Sequence, residues 1–262
     1  MTSSPLVSIV IPTFNRLRCL QQCIAEIRSG VAAAKEIVVV DGGSEDGTRD
    51  WLQTQADLHV IFEDEREGAV RAFNKGFRAA CGRYVCWSND DGYPMAGSVD
   101  AAIEMANRPG MNDVGMVAFY HNWHSPWNVL DRITFEGESY EMCHVRGFPY
   151  ANFGLIRNDL LAQIGYADER FYFFGFDPDL SLKIQLEEGL KVVGCRAARM
   201  RHQELHDHRK LADLPRGRED NEALFAKWRL PDKDSFPDPA PAYLALLRER
   251  DLEYGLSPAL TA

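Results

Sequence analysis

The chain has 262 residues, 29 of them basic and 39 acidic, for a formal net charge of −10; at roughly 150 residues per domain this is one large domain or one with a small appendage. A hydrophobic content of 45% with 26% charged residues excludes wholesale disorder, collagen and a coiled coil, and so acidic a surface repels phosphate backbones, so no nucleic-acid partner is expected. No stretch approaches the ~20 apolar residues of a membrane helix, no secretory signal is expected at the N-terminus, and six cysteines without a C-x-x-C pair read as reduced thiols of a cytoplasmic protein.

The first half alternates. Residues 6–14 form an apolar run rich in Val and Ile, predicted as a buried strand, after which Leu17, Leu20, Ile24 and Ile27 recur at helical spacing. Residues 36–41 read as a second strand, Gly42, Gly43 and Ser44 as a turn, and 48–55 as a helix. Strands at 58–63 and 84–89 flank a helix at 69–80. Such alternation implies a parallel sheet with crossover helices. The second half is less regular, with a helix at 100–107, a strand at 115–120 and an extended loop region over 121–150. Helices at 158–164 and 179–188 and a strand at 190–200 follow. The proline-punctuated tail past 210 is predicted to lay helices at 221–228 and 243–253 on the main domain; the amphipathic stretch 243–250 could instead touch a membrane surface.

Parallel sheets bind ligands outside the carboxyl ends of their strands. The polar residues there are Thr13, Asn15 and Arg16, then Asp41, then Glu63, Asp64 and Glu65, and finally Asn89, Asp90 and Asp91. Three of these four groups are acidic, which suits a metal-bound phosphate better than a bare one. No G-x-G-x-x-G, P-loop or G-x-S-x-G is present. Adjacent Asp90 and Asp91 repel each other unless a cation sits with them, and a hard divalent ion takes carboxylate oxygens while leaving positions for diphosphate; the alternative is an exposed turn. Asp41 could accept from a pyrimidine ring N–H or cap the next helix. Asp177 and Asp179 open a helix, either as caps or with Asp177 as a general base. His202, His206 and His208 lack the partners of a zinc site; His202, after a strand, is expected to join a carboxylate-bound metal. Trp123, Trp127, Tyr140 and Tyr150 offer faces suited to sugar rings, or pack a long loop onto the sheet.

Taken together, residues 7–16 (VSIVIPTFNR), 38–48 (VVVDGGSEDGT), Glu67 and Gly68, 72–76 (AFNKG), 80–82 (ACG) and 88–93 (SNDDGY) resemble family 2 glycosyltransferases, the inverting GT-A class. The resemblance covers about residues 6–230 and is strongest to the branch of bacterial surface-polysaccharide synthesis. It implies an α/β GT-A fold, a Rossmann-like, doubly wound, mostly parallel sheet flanked by helices. Residues 1–210 would form the domain, with a nucleotide-sugar half at about 6–95 and an acceptor half at about 96–210, and 211–262 a C-terminal helical tail.

The resemblance also implies roles. Pro12, Thr13, Asn15, Gly43, Asn74, Asn89 and Asp90 would line the nucleotide pocket, with Asp41 on the base, expected to be uracil. Asp90, Asp91 and His202 would hold Mn²⁺ or Mg²⁺, Asp177 would be the general base, and Trp123, Trp127 and Asp179 would meet the acceptor. The chain departs from the family at Ser88, in place of the first D-x-D carboxylate, at Phe176, in place of the Glu before the base, and at Arg71, where the branch often has Asp. The expected activity is inverting transfer from a nucleotide-diphosphate sugar, expected to be a UDP-sugar, to a glycan or lipid-linked hydroxyl. The protein would then be cytoplasmic, with peripheral contact at the inner membrane if the acceptor is a lipid. A nucleotide-sugar-binding protein with impaired catalysis, suggested by Ser88 and Phe176, and a nucleotidyltransferase are the alternatives.

Overall fold

The computed structural model describes residues 5–124, 128–203, 205, 207–232 and 235–252. Its first half is the expected alternation: β1 (Val7–Thr13), α1 (Leu17–Gly30), β2 (Lys35–Asp41), α2 (Thr48–Gln53), β3 (Leu58–Phe62), α3 (Ala69–Ala79) and β4 (Tyr84–Trp87). These strands pair in parallel in the order β3-β2-β1-β4. β1 and β2 read as continuous apolar runs because helices cover both faces of a parallel sheet. α1 buries Leu20, Cys23, Ile24 and Ile27 on one stripe. α3 approaches β1 so closely that a Cβ on Gly76 would meet a Val10 methyl at 2.3 Å.

The second half extends this sheet. β5 (Gly92–Pro94), α4 (Ser98–Ala106), β6 (Val114–His121), β7 (Val129–Phe135), β8 (Glu138–Val145), β9 (Phe148–Tyr150) and β10 (Gly154–Arg157) come first. α5 (Asn158–Gln163), α6 (Phe176–Leu182, continued by a π-helical turn over Lys183–Glu187), β11 (Lys191–His202), α7 (His208–Trp228) and α8 (Ala240–Glu249) complete the chain. β10 inserts antiparallel between β4 and β6, and β11 then runs parallel to β6. The fold is GT-A, a mixed sheet flanked by helices. All six cysteines are free. No helix among the described residues is long and apolar enough to cross a membrane.

The extended loop expected over 121–150 is instead largely strand. β7 and β8 form a hairpin whose turn residues, Glu136 and Gly137, both sit at positive φ (50° and 83°), the backbone such two-residue turns demand. β8 hides its period because Tyr140 to Val145 are all buried, including Glu141. The Glu141 charge is met across the hairpin by Arg132 at 2.6 Å.

α7 is longer than the expected helix at 221–228 and crosses the boundary expected at 210. An interior Pro argues against a helix, yet Pro215 lies inside this one on an exposed position. The inward face repeats at Asp213, Gly217, Asp220 and Leu224, all buried. Only one of these four positions holds a large apolar side chain, so periodicity does not reveal the face. A Cβ on Gly217 would lie 2.2 Å from the Phe174 ring. Gly217→Ala should therefore cost about 1–3 kcal/mol by overpacking, read as a lower denaturant midpoint at unchanged slope.

Candidate active site

Thr13 pairs with Asp41, and Val10 with Trp87, so β1, β2 and β4 end at one edge of the sheet. The segments beyond them border a single cleft of about 670 Å³. Pro12, Thr13, Asn89, Asp90, Asp91, His202, Trp123 and Asp177 all line it. Trp127 and His206 lie outside the described residues.

At its centre sits a buried charge cluster. Thr13 donates its hydroxyl to Asp90 Oδ2 at 3.0 Å. The Arg16 guanidinium reaches Asp90 Oδ1 at 3.2 Å, Asp91 Oδ2, and Asp207 Oδ2 at 2.7 Å. Burial by itself would lower the Arg16 pKa, but the hydrogen bond to Asp207 and the charges of Asp90, Asp91 and Asp207 prevail and raise it. His202 Nε2 stands 3.3 Å from Asp91 Oδ1. His121 is held neutral: burial first, and the neighbouring His202 second, lower its pKa to about 4.

Two carboxylates and an imidazole suit a hard divalent ion chemically. Yet no three acidic, His or Cys side chains among the described residues converge as a ligand cluster. A cation on Asp90 and Asp91 would have to share their oxygens with Arg16. Ser88, the residue in place of a carboxylate, turns its hydroxyl to the Gly92 carbonyl at 2.9 Å and is buried away from the cleft.

Asp177, in the first turn of α6, faces the cleft from the other side. Desolvation raises its pKa to about 7. Its neighbours Cys143 and Tyr150 are also raised by burial, Cys143 to about 12, so both stay neutral beside it. Phe176 packs on Phe73 at 4.5 Å between ring centroids. The apolar residue before Asp177 is thus a core residue joining α6 to α3.

Four expected contacts stand elsewhere. Asn74 is buried on α3, where its amide donates to Ala167 O at 2.9 Å and accepts from Ala167 N at 3.0 Å. It pins the approach to α6 and does not line the cleft, which corrects its assignment to the nucleotide. Asp179 is also corrected: it is fully buried, and its Oδ1 accepts from Lys227 Nζ at 2.6 Å and Trp228 Nε1 at 2.7 Å. Its charge anchors the end of α7 and is not offered to an acceptor. Asn15, exposed at φ 52°, ties the loops after β1 and β2 together by accepting from Glu45 N at 2.7 Å. Gly43, at φ 81°, backs onto Asp64, and it is Gly42 that lines the cleft.

Asp41 is fully buried below Gly42. It does not line the cleft: its Oδ2 accepts from Ser44 N at 3.2 Å and from Arg49 Nη1 at 3.4 Å, and its buried Oδ1 has no hydrogen-bond partner among the described residues. An orphaned carboxylate oxygen is costly unless a donor reaches it.

Sequence reasoning missed the contribution of the tail. Arg66 lies over Phe14 at 5.0 Å and pairs with Asp213 of α7, while Lys210, Leu211, Leu214 and Phe225 of the same helix line the cleft. The Arg66–Asp213 pair joins residues 147 apart, and no local pattern signals such a contact.

A family model described as glycosyl transferase family 2 matches residues 8–165. Glycosyltransferase AglE of Haloferax volcanii is 30% identical over 122 residues, 44% of this chain and 40% of that protein. The putative teichuronic acid biosynthesis glycosyltransferase TuaG of Bacillus subtilis is 34% identical over 91 residues, 33% of this chain and 36% of that protein. The matched stretch thus spans about two-fifths or less of these relatives' length. The solved mannosyltransferase PcManGT from Pyrobaculum calidifontis, in complex with GDP-Man and Mn²⁺, superposes with a TM-score of 0.63 at 19% identity, over 99% of this chain and 79% of that one. S. aureus TarS superposes with a TM-score of 0.62 at 15% identity, over 95% of this chain and 44% of that one.

Proposed function

This chain belongs to glycosyl transferase family 2, and we propose that it transfers a sugar, with inversion, from a nucleotide-diphosphate sugar to a hydroxyl of a glycan or lipid-linked acceptor. The observation that carries this reading is one cleft bounded by the strand-end carboxylates Asp90 and Asp91 on one side and by half-buried Asp177 on the other. The lipid-linked class of acceptor draws on relatives such as the undecaprenyl-phosphate mannosyltransferase of Micrococcus luteus, 31% identical over 99 residues.

Asp177 takes the proton of the acceptor hydroxyl as its oxygen forms a bond to the anomeric carbon. The bond to the diphosphate oxygen breaks on the opposite face, and the nucleoside diphosphate leaves with the electron pair. A pKa near 7 matches a base to work at neutral pH. Asp90, Asp91 and His202 would hold a divalent cation, Mn²⁺ or Mg²⁺, which when bound neutralises charge on the leaving diphosphate. Arg16 places a second, permanent positive charge on the same carboxylates. The donor is read as a UDP-sugar, with uracil N3–H donating to Asp41, whose buried Oδ1 has no hydrogen-bond partner among the described residues; that contact requires the Gly42 turn above it to open to the cleft. Trp123, which lines the same cleft, would meet the acceptor.

Calorimetry with UDP, GDP, dTDP and CDP, each with Mn²⁺ and with EDTA, tests this reading. UDP should bind in preference to the others, and more tightly with Mn²⁺. Binding of none of the four would overturn the donor site.

A further inference from the structure

The loop leading into α6 is held by a carboxylate from α7. Asp220 of α7 is buried, its Oδ1 accepts from Tyr172 N at 2.9 Å, and its Oδ2 accepts from Phe173 N and Phe174 N at 2.8 Å each. Three consecutive backbone N–H groups converging on one anion form a nest, and each is a donor that burial requires to be paired. Gly175 follows at φ 84°, and Asp177 comes two residues later in the first turn of α6.

The loop is fixed from its other face as well. The Tyr172 carbonyl accepts from Val70 N at 3.3 Å, at the start of α3. A Cβ on Gly68 would meet the Tyr172 ring at 2.7 Å. α7 is itself tied down along its length by Arg16–Asp207, Arg66–Asp213 and Lys227–Asp179. Asp220 therefore presents its carboxylate from a helix anchored on both sides of the cleft.

Resting on the reading of this cleft as a glycosyl-transfer site with Asp177 as its base, we propose that Asp220 is a positioning residue for the reaction. It fixes the 172–175 loop, so that Asp177 is held where it meets the acceptor hydroxyl or, in its absence, a water molecule. α7 is thereby part of the active site.

The test uses the full chain with UDP-glucose, UDP-galactose and UDP-GlcNAc as donors and water as the acceptor, following UDP release, together with UDP calorimetry. Asp220→Asn keeps one acceptor oxygen for three N–H groups. It should lower kcat about 10- to 100-fold, the scale of a misplaced reacting group, with UDP affinity within about twofold. The pH midpoint of kcat should fall from near 7 toward the ordinary carboxylate range, as the loosened loop no longer keeps Asp177 desolvated. Asp220→Glu, which keeps the charge one methylene too far out, should show the same changes to a smaller degree.

A folded Asp220→Asn with unchanged kcat and pH midpoint would overturn the proposal while leaving the active-site reading intact. So would equal losses in UDP affinity and kcat, which would mark a general structural role. If the Asn variant does not fold, the Glu variant decides by the same readouts. Binding of none of UDP, GDP, dTDP and CDP by the unaltered chain would overturn both the site and the proposal.

Discussion

Asp177→Asn should lower kcat by about 10²–10⁴-fold, the usual contribution of a general base, while UDP affinity stays unchanged. The unaltered protein should gain activity as pH rises from 5 to 8, with a midpoint near 7, because the base must be ionised to take the acceptor proton and its pKa is about 7. The variant should lose that limb. Near-native turnover by a folded Asp177→Asn protein would dismiss Asp177 as the base, and Asp179 could not replace it, being sealed beneath Lys227 and Trp228.

The same substitution should raise stability at alkaline pH. In the unfolded chain this carboxyl loses its proton near 3.8, and in the folded chain near 7. The folded state thus binds the proton more tightly, and stability falls as pH rises through that window. Asn carries no charge to desolvate. The Tm of Asp177→Asn should therefore exceed that of the unaltered protein at pH 8, by a margin that shrinks toward pH 5. A residue that destabilises the fold in the ionic form needed for chemistry is one retained for function. Equal Tm differences at both pH values would mean that burial does not hold Asp177 near 7.

The nucleotide half was legible because its signals are local. β1 and β2 are unbroken apolar runs, and the polar residues that end them follow immediately. Direction was not legible. Asn74 and Asp179 are polar residues inside recognisable motifs, but sequence does not say that one turns to Ala167 and the other to Lys227. β8 was missed because a buried Glu141 interrupts the apolar pattern a strand should show, and its compensation by Arg132 exists only once the hairpin forms. Least legible was α7. Its inward face is mainly Asp and Gly, and its partners lie far off in the chain: Arg16 meets Asp207 at a separation of 191 residues. Such long-range ion pairs join the base-bearing loop and the strand ends to one helix.

Arg16→Met should be the most destabilising of these substitutions. The Arg16 side chain is 4% exposed and contacts Asp90 and Asp91, which are 1% and 8% exposed. Removing it takes a permanent positive charge from two adjacent buried carboxylates, and breaking a buried pair from one side costs about 3–5 kcal/mol. For a chain of this size that corresponds to a fall in Tm of roughly 6–20 °C. Met keeps much of the apolar stem, so the loss reports on charge more than on packing. A divalent cation offers the same carboxylates another counter-charge. If Mn²⁺ and Arg16 share those oxygens, Mn²⁺ must contend with the guanidinium in the unaltered protein but not in the variant. Saturating Mn²⁺ should then raise the Tm of Arg16→Met more than that of the unaltered protein, recovering about 2.7 kcal/mol at a hundredfold excess over Kd. Equal increments in the two proteins would place the metal off Asp90 and Asp91. No increment in either would leave Arg16 as the cation that faces the diphosphate.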